Sequence, residues 1–113
     1  MLAKLKPTHG ELLLVWRKRE EKSQSELAAQ FRVTRNCWGR WERGTNVPGV
    51  SAPIEFKDVA EHEKCMLLRR REGITQGDLA KTIGVSRWWL NQMESGKADP
   101  ARLITYWENQ DEA

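Results

Sequence analysis

Side chains that could catalyse a reaction or hold a metal are few and scattered in this chain of 113 residues. His62 and Cys65 are three residues apart, as two ligands on one helix would be, but neither a CxxC motif nor a second ligand pair accompanies them. The chain also lacks paired carboxylates in a recognisable setting and a glycine loop that could cradle a phosphate. We therefore expect no enzyme, no cofactor and no metal site.

The two cysteines, Cys37 and Cys65, favour reduced thiols over a disulfide because the chain has no secretory features. The longest apolar run, residues 12–16, is far too short to span a bilayer, and the N-terminus lacks the pattern of a signal peptide. We therefore expect a cytoplasmic protein with no membrane partner.

Basic charge is concentrated in the first half of the chain. Residues 1–48 carry ten Lys and Arg against five Asp and Glu, a net of +5, whereas residues 49–113 carry nine against eleven, a net of −2. A basic surface permits a nucleic-acid partner without requiring one. If there is such a partner, the first half carries the electrostatic attraction.

An internal repeat covers most of the chain. Displacing the sequence by 52 positions aligns residues 11–48 with residues 63–100, with twelve identities over 38 positions, where chance gives about two or three. The identical pairs are Glu11/Glu63, Arg17/Arg69, Arg19/Arg71, Glu20/Glu72, Gln24/Gln76, Leu27/Leu79, Ala28/Ala80, Val33/Val85, Arg35/Arg87, Glu42/Glu94, Gly44/Gly96 and Pro48/Pro100. The chain therefore contains two copies of one structural unit, which we place at domains 1–56 and 57–113.

Each copy has the pattern of three helices. Hydroxyl and acidic residues at capping-box spacing mark helix starts at Thr8/Glu11, Ser23/Glu26 and Thr75/Asp78. Glycine and then proline end the third helix of each copy. The predicted helices span residues 9–22, 24–31 and 35–43 in the first copy, 57–72, 76–83 and 87–95 in the second, and 101–109 at the end.

Apolar residues recur at positions that can face one core in each copy, and the pattern contains no strand signal. These residues are Leu27, Ala28, Phe31, Val33 and Trp38 in the first copy and Leu79, Ala80, Ile83, Val85 and Leu90 in the second. In the last predicted helix they are Leu103, Ile104, Tyr106 and Trp107. The fold class predicted is all-α.

Two segments carry a family resemblance. Residues 23–44 read SQSELAAQFRVTRNCWGRWERG and residues 75–96 read TQGDLAKTIGVSRWWLNQMESG, and each is followed by a proline. Both resemble the Cro/CI-type (XRE-like) helix-turn-helix family. The resemblance implies two tandem lambda-repressor-like helix-turn-helix repeats packed together, in each of which the third helix lies in the DNA major groove.

The resemblance also implies which residues of the first copy contact DNA. Those projecting toward DNA from the third helix are Arg35, Asn36, Cys37, Gly39 and Arg40. Gln24 would touch backbone phosphate and brace that helix. A wider phosphate-contacting set comprises Arg17, Lys18, Arg19, Lys22 and Arg43, for each of which a solvated surface charge is the alternative.

Departures from the family pattern in the first copy fall at two positions. The turn position that the family usually fills with glycine is Gly84 in the second copy but Arg32 in the first, where a left-handed backbone would cost about 1 kcal/mol. Gly39 inside a helix would cost about another 1 kcal/mol relative to alanine.

In the second copy, bulk replaces charge at the positions expected to face DNA. The corresponding DNA-binding residues are Gln76, Arg87, Trp88, Trp89, Asn91 and Gln92. Adjacent exposed tryptophans could pack on thymine methyls and sugars, or form a protein interface. The second repeat or the C-terminal helix could therefore form a homodimer.

The function predicted is sequence-specific binding to a double-stranded DNA operator by a nucleoid-associated transcriptional regulator. Its small size favours a repressor of phage or mobile-element type. One alternative is an antitoxin-like or adaptor module that binds a protein partner, and another is an RNA-binding regulator.

Overall fold

The computed structural model describes residues 2–110, which contain seven α-helices and no strand. The helices are α1 (His9–Arg19), α2 (Gln24–Gln30), α3 (Arg35–Arg43), α4 (Glu61–Arg71), α5 (Gln76–Ile83), α6 (Arg87–Glu94) and α7 (Ala101–Gln110), with short 3-10 helices at Leu2–Lys4 and Phe56–Asp58. The all-α prediction is confirmed. None of the helices within residues 2–110 is long and apolar enough to cross a membrane.

The described chain forms two compact units. The first unit spans Lys6–Val59 and contains α1 to α3, and the second combines residues 2–5 with residues 60–110 and contains α4 to α7. The division into domains 1–56 and 57–113 stays a prediction, because compact packing does not by itself show that a unit folds as a separate domain.

Side-chain caps begin the helices at the predicted positions. Thr8 Oγ1 accepts from the Glu11 amide at 3.1 Å, and Glu11 Oε1 accepts from the Thr8 amide at 2.9 Å. Ser23 and Glu26 form the same reciprocal pair. These bonds satisfy backbone donors that the first helical turn leaves free, so the sequence pattern had a direct physical basis.

Two predicted helix boundaries are wrong by three or four residues, and the others agree to within one residue. The first helix ends at Arg19 rather than at residue 22, because Glu21 takes a left-handed conformation with φ 55°. The fourth begins at Glu61 rather than at residue 57, because Val59 and Ala60 are extended. The Glu63 carboxylate accepts from the Ala60 amide at 2.9 Å and thereby fixes the later start.

The first unit packs around two buried tryptophans. Trp38 and Trp41 of α3 are buried with Leu27 of α2, and their ring centroids are 5.6 Å apart. Phe31 stacks on Trp38 at 5.7 Å with an interplanar angle of 19°. The other two predicted core residues also pack here, where Ala28 is buried and Val33 is half-buried.

The second unit repeats this core and adds α7. Leu79, Ala80 and Leu90 are buried, and the predicted core residues Ile83 and Val85 are half-buried. Helix α7 packs against α4 and α5. It buries Leu103 and Trp107 there and leaves Ile104 and Tyr106 half-buried. Helix α7 therefore completes the second core.

Helix α1 approaches α3 most closely at Gly10. A Cβ atom at this position would lie 1.9 Å from the carbonyl oxygen of Trp41, so glycine alone allows the approach. The repeat places His62 at the equivalent position of the second unit, where its Nδ1 lies 2.9 Å from the Glu94 carbonyl oxygen. The first helix of each unit therefore uses a different contact with the third.

Two left-handed residues of the first unit are not glycine. Glu21 and Arg32 have φ values of 55° and 57°, whereas the second unit has Gly73 and Gly84 at the equivalent positions, with φ values of 70° and 77°. Arg32 therefore has the left-handed backbone that Gly84 has at the equivalent turn of the second unit. A side chain at such a position costs about 1–2 kcal/mol, which glycine avoids.

Replacing Arg32 by glycine should raise the free energy of unfolding of the first unit by about 0.5–1 kcal/mol. Glycine removes the steric cost of the left-handed backbone, but part of this gain is offset because glycine has more conformational freedom in the unfolded chain. Urea denaturation measures the change. Gly73→Ala is the reverse change in the second unit and should destabilise that unit by about 1 kcal/mol. A Cβ atom at this position would meet nothing within 4 Å, so the cost comes only from the left-handed backbone conformation. A less stable Arg32→Gly protein would contradict this explanation.

Candidate nucleic-acid interface

Helix α3 turns its aromatic residues inward and its basic residues outward. Thr34 caps its start by accepting from the Cys37 amide at 3.0 Å, and Gly44 ends it in a left-handed conformation with φ 78°. Of the residues predicted to contact DNA, Arg35, Asn36, Arg40 and Arg43 are exposed, whereas Trp38 is buried. The exposed face thus offers guanidinium and amide donors of the kind that bind base edges and phosphates.

Two predicted contact residues of α3 are partly covered. Cys37 is half-buried and packs against the tryptophan core. Gly39 is buried because the Arg43 side chain lies over it, and a Cβ at Gly39 would be 3.0 Å from Arg43 Nη1. DNA would reach Gly39 only if the flexible Arg43 side chain moved aside.

A buried carboxylate, Glu42, joins the three helices of the first unit. Arg17 Nε of α1 donates to its Oε2 at 2.6 Å, Gln24 Nε2 of α2 to its Oε1 at 2.9 Å, and Trp38 Nε1 to its Oε2 at 2.7 Å. Burial alone would raise the pKa of Glu42, but the hydrogen bonds and the Arg17 charge outweigh it and hold the pKa below its usual value. Glu42 therefore remains an ionised acceptor inside the protein.

The same contacts engage two residues that the sequence assigned to DNA phosphates. The Arg17 side chain is 11% exposed and also donates through Nη1 to the Lys22 carbonyl at 3.1 Å. Gln24 is half-buried. Both residues hold α1 and α2 against α3, and their phosphate contacts stay predictions.

Three other basic residues of the predicted phosphate set, Lys18, Arg19 and Lys22, lie at or just after the end of α1. Lys18 and Arg19 are exposed, and Arg19 Nη2 donates to the Asp58 carbonyl at 2.7 Å. Lys22 is half-buried, with Nζ 3.4 Å from Gln30 Oε1. Their phosphate contacts also stay predictions.

The second unit repeats the buried carboxylate arrangement with Glu94. Arg69 Nε donates to Glu94 Oε2 at 2.8 Å, Gln76 Nε2 donates to Oε1 at 3.0 Å, and Arg69 Nη1 donates to the Ile74 carbonyl at 3.0 Å. Leu90 replaces the tryptophan, so the indole bond is lost. This network was not predicted from the sequence, although its Arg, Gln and Glu are identical in both copies.

Helix α6 exposes two adjacent tryptophans. Trp88 and Trp89 are 65% and 42% exposed, and their ring centroids are 6.0 Å apart. Arg87 and Asn91 are also exposed, and Gln92 is half-buried. The predicted contact residues on α6 are thus accessible, and with two exposed tryptophans they form a more apolar surface than the exposed residues of α3.

The cysteines are not joined to each other. Cys65 is buried, and the apolar surroundings, with smaller contributions from nearby Glu94, Glu61 and Glu108, raise the pKa of its thiol to about 12. The thiol therefore stays protonated and unreactive near neutral pH.

In the second unit, the short α5, the left-handed turn at Gly84 and the outward-facing α6 have the arrangement of a helix-turn-helix. The Helix-turn-helix family model matches residues 66–103. The match indicates similarity of this segment to the XRE-type helix-turn-helix family of DNA-binding regulators. No curated protein and no solved structure matches the chain.

Proposed function

We propose that the protein is a sequence-specific double-stranded DNA-binding transcriptional regulator that represses by occupying an operator, as regulators of phages and mobile elements do. The observation that carries this proposal is the helix-turn-helix match over residues 66–103. A nucleoid-associated, cytoplasmic location and a non-enzymatic role belong to the same proposal.

The proposal includes the first unit as a second helix-turn-helix repeat. Its support is that each unit has its own buried carboxylate, Glu42 or Glu94, with the same kinds of hydrogen-bond donors. The ion pairs Arg17–Glu42 and Arg69–Glu94 span 25 residues each, and the glutamine bonds to the same carboxylates span 18 residues each. Equal spacings of equal contacts are what duplication of one fold produces.

The first unit should supply most of the DNA affinity. The residues of the first unit, 6–59, include ten Lys and Arg and seven Asp and Glu, a net charge of +3, and α3 exposes Arg35 and Arg40, whereas residues 1–5 and 60–113 include nine of each kind, a net charge of 0. Neutralising phosphate charge supplies much of the free energy of protein–DNA binding.

The variants Arg35→Ala and Arg40→Ala should each weaken operator binding by about 1–3 kcal/mol, as expected for a lost base contact. Fluorescence anisotropy at fixed salt would measure this on an operator selected from a random duplex pool. Lys57→Ala removes one exposed positive charge from the same unit, where Lys57 pairs with Glu55 at 3.3 Å, and is the matched control. Equal affinities for the parent and both arginine variants would reject the role of α3.

A protein-interaction module is the second candidate function, and the exposure of Trp88 and Trp89 favours it. The pair would mediate homodimerisation or, in an antitoxin-like adaptor, bind a protein partner, whereas α7 already buries Leu103 and Trp107 in its own unit. The salt dependence of binding to a random duplex separates the functions: phosphate neutralisation gives a steep slope and a pure interaction module gives no binding. The solution mass without DNA tests for the dimer, and a duplex RNA competitor tests for RNA binding.

A further inference from the structure

The surface of α3 at Gly39 has no side chain of its own, and the guanidinium group of Arg43 covers it. A Cβ atom at Gly39 would lie 3.0 Å from Nη1, 3.8 Å from Cζ and 3.8 Å from Nη2 of Arg43. Gly39 is therefore buried, although Asn36, three residues earlier on the same face, is exposed. The guanidinium group thus lies where a side chain of residue 39 would otherwise be.

Helix geometry explains the direction of the Arg43 side chain. Residues four positions apart lie on the same face of a helix, and long side chains on a helix point back toward its N-terminus. The Arg43 side chain is therefore directed over residue 39, and any side chain at that position would compete with it for space. Glycine at position 39 leaves this space to the guanidinium group.

The second unit fills the equivalent surface from another position. Asn91 and Ser95 stand where the first unit has Gly39 and Arg43, and Asn91 is exposed. The Ser95 hydroxyl donates to the Asn91 carbonyl of its own helix at 2.9 Å, so it contributes to the end of α6. Each unit therefore places a hydrogen-bonding group at this surface, by an asparagine at the position itself or by an arginine one turn later.

We infer that Arg43 contacts a base of the operator rather than a phosphate, and that Gly39 is the residue that positions it. The inference rests on the proposed DNA-binding function of the first unit. The N-terminal residues of a recognition helix contact base edges, and the guanidinium group lies one turn closer to that end of α3 than the Arg43 backbone does. Within residues 2–110, no hydrogen bond or ion pair engages the Arg43 side chain, so its donors are available.

The chemistry of a guanidinium group selects guanine among the purines. The group carries five N–H donors and no acceptor. Guanine presents two acceptors, O6 and N7, in the major groove, whereas adenine presents one acceptor and one donor there. The guanidinium group can therefore donate to both groups of guanine but to only one group of adenine.

Selection of bound sequences from a random duplex pool by the intact protein tests the base contact. The parent should select guanine at one base pair whose identity depends on Arg43. In Arg43→Ala the preference at that base pair should fall by about tenfold, while the other selected positions stay unchanged. A phosphate contact would instead weaken binding to all sequences alike. Arg40→Ala is the matched control, because it removes the same charge from α3 and should change a different base pair.

Gly39→Ala tests the positioning role of the glycine. The added Cβ atom would displace the guanidinium group without removing its charge, so the preference at the Arg43-dependent base pair should fall toward that of Arg43→Ala. In the Arg43→Ala background, Gly39→Ala should have no further effect at that base pair. A methyl group that only clashed with DNA would weaken binding equally in both backgrounds, and this result would reject the positioning role.

Thermal unfolding checks that the variants fold. Arg43 is exposed, and alanine is a better helix former than glycine, so all of the variants should remain folded. A uniform loss of affinity in Arg43→Ala, or no base pair that depends on Arg43, would overturn this inference alone. A parent protein that selects no sequence would overturn the proposed function together with it.

Discussion

Glu42→Ala should lower the free energy of unfolding of the first unit by about 3–5 kcal/mol, the usual cost of removing one partner of a buried ion pair. The carboxylate accepts bonds from Arg17, Gln24 and Trp38, so its loss leaves the Nε–H of Arg17, the Gln24 amide and the Trp38 indole N–H without this acceptor. Urea denaturation followed by tryptophan fluorescence would measure the change, because Trp38 and Trp41 lie in that core.

The dependence of stability on pH provides an independent check on Glu42. Its pKa is lowered in the folded protein, so its contribution to stability is present above the unfolded pKa of about 4.3 and is lost as the pH falls through the lower folded value. Glu42→Gln should therefore remove part of the acid dependence of unfolding. Glu26→Ala removes an exposed capping carboxylate and should cost about 1 kcal/mol or less. Similar losses in Glu42→Ala and Glu26→Ala would show that the buried network contributes little.

Leu27→Ala should destabilise the first unit by about 2–5 kcal/mol, because the side chain is fully buried and its removal leaves a cavity against the aromatic core. Differential scanning calorimetry should show a lower transition temperature for the first unit. Leu79→Ala applies the same change to the equivalent buried site of the second unit. Val47→Ala, at a side chain that is 89% exposed, should change stability by less than about 0.5 kcal/mol. Leucine variants that melt like the parent would show that these positions do not hold the core together.

Local signals allowed much of the fold to be predicted from sequence. A cap such as Thr8 with Glu11 involves groups three residues apart, and a turn residue such as Gly84 acts through its own backbone, so neither depends on distant packing. The start of α4 was missed because several apolar and charged residues before Glu61 fit a helical pattern equally well, and only the bond between Glu63 and the Ala60 amide selects the start.

The candidate site could be predicted only in part. The outward direction of Arg35 and Arg40 follows from helical periodicity once Trp38 is placed in the core. The burial of Glu42 does not follow, because a glutamate in a charged segment is usually solvated, and its partners lie up to 25 residues away in the chain. The cover over Gly39 depends on the conformation of one arginine side chain, which a residue pattern does not specify.

The approach of Gly10 to Trp41 restricts how the two repeats could be recombined. A chimera carrying α4 in place of α1 would bring a histidine to the position where even a Cβ atom would lie 1.9 Å from a backbone oxygen. The reverse exchange would remove His62, whose ring fills the space above Gly96 and contacts the Glu94 carbonyl. The first and third helices of each repeat are thus a matched pair. We therefore expect a chimera of the two units to fold only where its first and third helices come from the same unit.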